Sequence, residues 1–222
     1  MVYTYGGTYD EVYQAYNSTP TLPVFLGESN YEGENDTGGL PGPATAYVVR
    51  KQNYWTLTSG GAGIVYGAAH VYEFDGSWTT SINDPGAKQI QHLNALFAAY
   101  PWWNLVPDQT HQYITSGYGT YNASGLNVQA QNYATAAYLA DGSLAIIYSP
   151  GNSNPPGAFT MTVNMSKFSG PVYARWFDPT NGTYSNVAGS PFANSGSRNF
   201  TNPSANSEGT YDFVLVLQTS SP

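Results

Sequence analysis

The stretch PVFLGESNYEGEND, residues Pro23 to Asp36, decides how the rest of the chain is read. Val24, Phe25 and Leu26 form an uninterrupted apolar run after Pro23. This is the pattern of a short strand buried on both faces, as in a parallel α/β sheet. Four carboxylates follow at once: Glu28, Glu32, Glu34 and Asp36. Charged residues are only 9% of the chain, so this crowding at a strand's end is not explained by general surface charge. Open α/β sheets and barrels place their sites at the carboxyl ends of parallel strands. Glu28, directly after the run, suits a nucleophile, a general base or a metal ligand. It equally suits a structural carboxylate that caps or salt-bridges the neighbouring loop.

Working outward, TYDEVYQAYN (Thr8 to Asn17) sets Val12, Tyr13 and Tyr16 at helical spacing ahead of the strand. Downstream, Gly38 to Pro43 marks a turn. Ala44 to Ser59 reads as an amphipathic helix that buries Tyr47, Val48, Tyr54, Trp55 and Leu57 and exposes Arg50 and Lys51. Gly60, Gly61 and Gly63 end it, Ile64 to Tyr66 start a second apolar strand, and Asp84-Pro85 opens a helix through Tyr100. Helix, strand, helix, strand, helix is the grammar of an alternating β/α fold.

From about Val106 the pattern changes. Short alternating segments are expected at Gln112–Ser116, Tyr133–Leu139, Ser143–Tyr148, Phe159–Val163, Val172–Phe177, Thr183–Val187 and Phe213–Leu217. Turn residues such as Asp141-Gly142, Asn152 to Gly157, Asn181-Gly182 and Ser195-Gly196 separate them. Close strand spacing without helical periodicity predicts an antiparallel β-sandwich. The expected domains are therefore 1–105, α/β, and 106–222, all-β.

Composition excludes several function classes. Fourteen acidic against six basic residues leave a net charge of −8, which argues against nucleic acid or an anionic membrane as partner. The absence of cysteine removes thiol chemistry and Cys-based zinc sites, and His70, His92 and His111 show no paired-His spacing. Neither a metal nor another cofactor is expected; the carboxylates could alternatively gather Ca²⁺, but no EF-hand spacing is present. Ser59 to Gly63 lacks the Lys and Ser/Thr of a phosphate loop. Twenty tyrosines and five tryptophans amid abundant Asn, Ser, Thr and Gly suit an extracellular or cell-surface protein that meets carbohydrate. No run reaches the ~18 apolar residues of a membrane span, and MVYTYGG is no signal peptide.

Together, FLGESNYEGEN, RKQNYWTLTSGGAG with its following YG, PWWNLVPDQTH, and the series DGSLAIIY, ARWFDPTNGTY, GSPFANSG and DFVLVL resemble the C-terminal part of apiosidase-like glycoside hydrolases. In that family a (β/α)8 barrel precedes a β-sandwich known as the "putative collagen-binding domain". The resemblance implies a partial barrel made of its last two β/α units, with the Val24 strand as the seventh and the Ile64 strand as the eighth. Whole barrels need about 250 residues, so an N-terminal barrel half is expected to be the missing physical partner. It also implies Glu28 as nucleophile, with the acid/base carboxylate on an earlier strand outside this chain, so that these residues alone are expected to be inactive. Tyr31 stands beside Glu32, which lines a sugar subsite or caps its loop. Tyr66 and His70 are expected at the mouth after the last strand. His92 is expected on a helix surface or in packing, His111 at the junction of the domains, and Trp102 and Trp103 buried there. The implied function is cleavage of glycosidic bonds in poly- or oligosaccharides. The alternative is a non-catalytic sandwich that binds glycan or a collagen-like polymer, or supports a barrel.

Overall fold

The computed structural model describes residues 1–35, 38–123, 125–153 and 156–222. Asp36, fourth of the clustered carboxylates, lies outside the described residues, as do the two central positions of the Asn152 to Gly157 turn. The chain divides into two compact units: Met1–Ala99 with Asn122–Gln131, and Tyr100–Tyr121 with Asn132–Pro222. In place of a single cut near residue 105, the chain leaves the first unit, starts the second, and returns for ten residues.

In the first unit, β1 (Val2–Tyr3), α1 (Thr8–Tyr16), β2 (Phe25–Glu28), α2 (Ala46–Thr58) and β3 (Gly63–Ile64) follow one another. Next come the single turns α3 (Ala69–Tyr72) and α4 (Trp78–Ser81), and then α5 (Pro85–Ala98). The strands form one parallel sheet in the order β1, β2, β3. Val2 pairs with Leu26, Tyr3 with Glu28, and Leu26 with Ile64. Two strands were expected and three are present, because a two-residue strand is too short to show a period. Val2, Val12, Val24 and Leu26 form the core beneath the sheet. Burial of β2 on both faces is overturned: Leu26 is buried but Phe25 is 43% exposed. Its alternation is that of a half-covered strand.

The expected outward face of α2 is also overturned. Arg50 and Lys51 are as buried as Val48 and Trp55. The Lys51 ammonium donates to the backbone carbonyls of Val128 at 2.9 Å, Gln129 at 3.3 Å and Gln131 at 2.5 Å, and lies 4.7 Å from the Tyr47 ring centroid. Arg50 donates to Gln89 Oε1 on α5. A buried cation is tolerable only when acceptors surround it. Those of Lys51 come from the returning segment and that of Arg50 from α5, both far along the chain, which helical periodicity cannot register. The same segment is tied through Tyr9 Oη to Gln131 Oε1 at 2.8 Å, Gly7 N to the Gly125 carbonyl at 3.3 Å, and Asn127 N to the Gly38 carbonyl at 2.6 Å.

The second unit is all-β, as expected. Its strands are β4 (Val106–Pro107), β5 (Ile114–Ser116), β6 (Thr135–Tyr138), β7 (Leu144–Ser149), β8 (Asn152–Ser153), β9 (Pro156–Gly157), β10 (Thr160–Asn164), β11 (Tyr173–Asp178), β12 (Thr183–Asn186), β13 (Ser197–Thr201) and β14 (Phe213–Gln218). A six-stranded sheet in the order β12, β11, β14, β7, β6, β4 faces a three-stranded sheet, β13, β10, β5, with every pairing antiparallel. One core joins them: Ile114, Met161, Val163 and Phe200 from the smaller sheet meet Ala145, Ile147, Trp176, Leu215 and Leu217 from the larger. All seven expected strands are present. Gly142, Gly182 and Gly196, in the turns read from the sequence, have φ values of 72°, 74° and 66°. Only glycine occupies that region at no steric cost. The expected burial of both tryptophans fails, since Trp103 is 68% exposed. Trp102–Asn104 is a 3₁₀ turn, whose three residues per turn point consecutive side chains in different directions.

Candidate active site

The parallel sheet of the first unit ends in Glu28. Register sets Tyr3 beside it, and two residues on the Tyr5 hydroxyl donates to Glu28 Oε1 at 2.5 Å. Tyr3 and Tyr5 are bonded through their hydroxyls at 2.9 Å, with rings edge to face at 5.5 Å. Donation to Glu28, reinforced by the bond to Tyr3, holds the Tyr5 hydroxyl far above the ordinary tyrosine range. Tyr5 thus stays a proton donor, and the carboxylate is pinned at one oxygen. Tyr5 was missed in the sequence; its only signal was the Tyr3/Tyr5 alternation in a segment of two-residue strand length.

Other groups feel the Glu28 charge. Burial, then Glu28 and Glu34, push the Tyr31 hydroxyl up. Glu34 is raised by burial and then by Glu28 and Glu73, and its Oε2 is buried without a hydrogen-bond partner among the described residues. A carboxylate that has lost water without gaining a donor holds its proton more readily. The Tyr31 ring lies 5.4 Å from that of Tyr72, and Phe74 stacks on Trp78 at 5.1 Å and 14°. Phe74 is exposed at φ 53°, a region an aromatic residue seldom occupies.

Glu32 is built into a different arrangement. Its carboxylate accepts the Tyr66 hydroxyl at 2.5 Å and the Gly86 backbone N–H at 3.0 Å, in the first turn of α5. Its backbone continues the sheet, donating to the Gly67 carbonyl and accepting from Ala69 N at 2.9 Å each. Pro85 has no N–H, so Gly86 offers the first free donor of that helix, and a carboxylate at a helix N-terminus is favoured by the macrodipole. A Cβ at Gly86 would meet the Glu32 carboxylate, which would have to shift to admit it. Burial, then donation to Glu32, holds the Tyr66 hydroxyl far above its usual range. Of the two roles open to Glu32, the geometry displays the cap.

His70 lies on α3, one turn of helix, and not in an extended strand exit. Its Nδ1 meets Asp75 Oδ2 at 2.6 Å, and this bond raises the imidazole. Asp75 is held at about 2, chiefly by the Ser77 hydroxyl and then by His70. With Glu73 these two present ligand atoms within 4.8 Å of one another, on an exposed turn. His92 lies half-buried on α5. His111 has its partners within the second unit: it stacks on Tyr118 at 3.7 Å and meets Tyr133 Oη at 3.2 Å.

Comparison with known proteins finds two family matches along the chain. Residues 1–104 match the model of the family described as "Apiosidase-like, catalytic domain", and residues 123–218 that of the "Putative collagen-binding domain of a collagenase". A solved glycoside hydrolase superposes with a TM-score of 0.77 at 25% identity, covering 97% of this chain and 46% of its own. A glycoside hydrolase family 5 structure from Bacteroides vulgatus ATCC 8482 gives 0.77 at 21% identity, covering 98% and 49%, and speaks to the fold alone. The chain thus spans about half the length of these structures. No curated protein matches the sequence. By these matches residues 1–104 are similar to the catalytic domain of apiosidase-like glycoside hydrolases and residues 123–218 to a "putative collagen-binding" domain.

Proposed function

We propose that this chain is part of a secreted or cell-surface glycoside hydrolase in which Glu28 is the nucleophile. The observation that carries the reading is the Glu28 carboxylate at the C-terminal end of a parallel strand, pinned at one oxygen by the Tyr5 hydroxyl. In this reading β1, β2 and β3 are consecutive strands of a (β/α)8 barrel, whose sites lie at that end. Tyr5 fixes the direction of the carboxylate and leaves its second oxygen to meet the anomeric carbon. A retaining enzyme needs a second carboxyl about 5 to 5.5 Å away, and an inverting one a wider gap. That partner is assigned to the rest of the whole protein. Tyr31, Tyr72, Phe74 and Trp78 supply ring faces on which sugars stack. Tyr66 and Glu32 hold the loops, and His70 borders the mouth. The substrate class is a poly- or oligosaccharide, and the family description makes an apioside the first to test.

The experiment is incubation of the full-length protein with an activated fluorosugar, followed by peptide mass mapping. A glycosyl adduct on Glu28 is expected, together with a loss of about 10²-fold or more in kcat for Glu28→Gln. Adduct formation on another carboxylate, or an active Glu28→Gln, would refute the assignment. The second reading, a non-catalytic module, draws on the match of residues 123–218. It predicts retention on insoluble glycan or collagen that Glu28→Gln leaves intact.

A further inference from the structure

The chain has six basic residues, and two of them, Arg50 and Lys51, are buried in the first unit. In the second unit Arg175 is placed differently. Tyr173 and Arg175 share one face of β11, since the intervening Ala174 points into the sandwich core. Asn186 on β12 is the cross-strand partner of Arg175. The guanidinium carbon lies 4.2 Å from the Tyr184 ring centroid. Among the described residues Nη2 reaches two distant neutral acceptors, Tyr100 Oη at 3.3 Å and Gln218 Oε1 at 3.4 Å, and Nε is buried with no hydrogen-bond partner. Among the described residues Arg175 has no carboxylate partner. An arginine held in place by an aromatic ring yet short of acceptors, in a chain of net charge −8, is a cation kept for something other than internal pairing.

Arg175 lines a cavity of about 240 Å³ together with Tyr173, Asn186, Ser190, Ser221 and Pro222. No acidic side chain is among these. The volume is below the roughly 300–1,000 Å³ of drug-sized pockets, so it fits one ring-sized group. We propose that this cavity is a binding site for a carboxylate-bearing sugar, a uronate unit of an acidic glycan, whose carboxylate meets the Arg175 guanidinium. The planar guanidinium matches a carboxylate in charge and geometry. The Asn186 amide and Ser190 hydroxyl serve ring hydroxyls, and the Tyr173 ring offers an apolar wall. The site is separate from Glu28 and its role does not depend on catalysis.

Calorimetric titration of the full chain with sodium glucuronate, glucose and sodium acetate tests this. Glucuronate is expected to bind, with glucose and acetate at least about tenfold weaker, the scale of a hydrogen bond to a charged group. Arg175→Gln should weaken glucuronate by the same factor. Asn186→Ala, at an exposed strand end, should weaken it several-fold with an unchanged melting curve, and Glu28→Gln should have no effect. Equal affinity for acetate or glucose would overturn the sugar assignment. Binding that survives both Arg175→Gln and Asn186→Ala, or that is lost in Glu28→Gln, would overturn the location.

Discussion

Lys51 and His111 are two cations or near-cations whose surroundings set opposite demands. Lys51 is a buried charge that three backbone carbonyls make tolerable. Lys51→Met keeps the stem and strands those carbonyls. The expected cost is about 2 kcal/mol, within the range for unsatisfied buried acceptors, read as a lower melting point and faster hydrogen exchange in residues 122–131. His111 is depressed below its ordinary value of 6.5, mainly by burial, against the opposing pull of Asp108 and the Ile114 backbone. Between the folded value and 6.5 the unfolded chain binds the proton more readily than the folded one. The contribution of His111 to stability is therefore full above 6.5 and falls as pH drops through that window. His111→Gln should flatten this slope in melting curves. His70 has the reverse sign: its bond to Asp75 raises it, so its contribution is present below 6.5 and fades as pH rises.

At the scale of elements, the N-terminus of α5 distinguishes the two glutamates of the quoted stretch. Glu32 ties the loop after β2 to Tyr66 and to the first free N–H of the helix. Glu32→Ala should lower stability by about 2 kcal/mol, since it leaves that donor and the Tyr66 hydroxyl without a partner. Glu28→Gln retains an oxygen for Tyr5 and should leave the melting point nearly unchanged. Chemical denaturation of the two variants, side by side, checks this difference. α2 makes a related point. Its residues from Val48 to Thr58 are all buried, so its sequence shows no polar face that faces water. Tyr47, Trp55 and Lys51 instead serve cation–π contacts across consecutive turns.

At the scale of the whole molecule, the segment Asn122–Gln131 lies in the chain between strands of the sandwich yet is part of the first unit. Val128 is fully buried there, and Gln131 links Tyr9 to the Gly125 carbonyl. Replacing residues 123–130 with a Gly-Ser stretch of equal length should lower the melting transition of the first unit. Hydrogen exchange should then rise in α1 and α2 and not in β7 or β14. Unchanged protection in α2 would show that the segment is only a passenger. Met1, Tyr3, Phe25, Val65, Tyr72 and Phe74 are exposed on the same unit.

What the sequence determined by itself was local. The helices α1, α2 and α5, the seven recognised strands, the glycine turns and the carboxylates massed at the end of an apolar run all follow from periods of 3.6 and 2 and from the conformations open to glycine. These rules act over a few residues, and β1 escaped them only because two residues hold no period. Tertiary structure alone decided which glutamate is a cap and which stands at the sheet's end beside Tyr5, that Lys51 faces inward, and that residues 122–131 belong with α2. Those outcomes rest on bonds such as Lys51 to Gln131 and Tyr9 to Gln131, 80 and 122 residues apart. At such separations the cost of burying a charge or carbonyl is settled by whichever partner the fold brings near, and no local pattern encodes that partner.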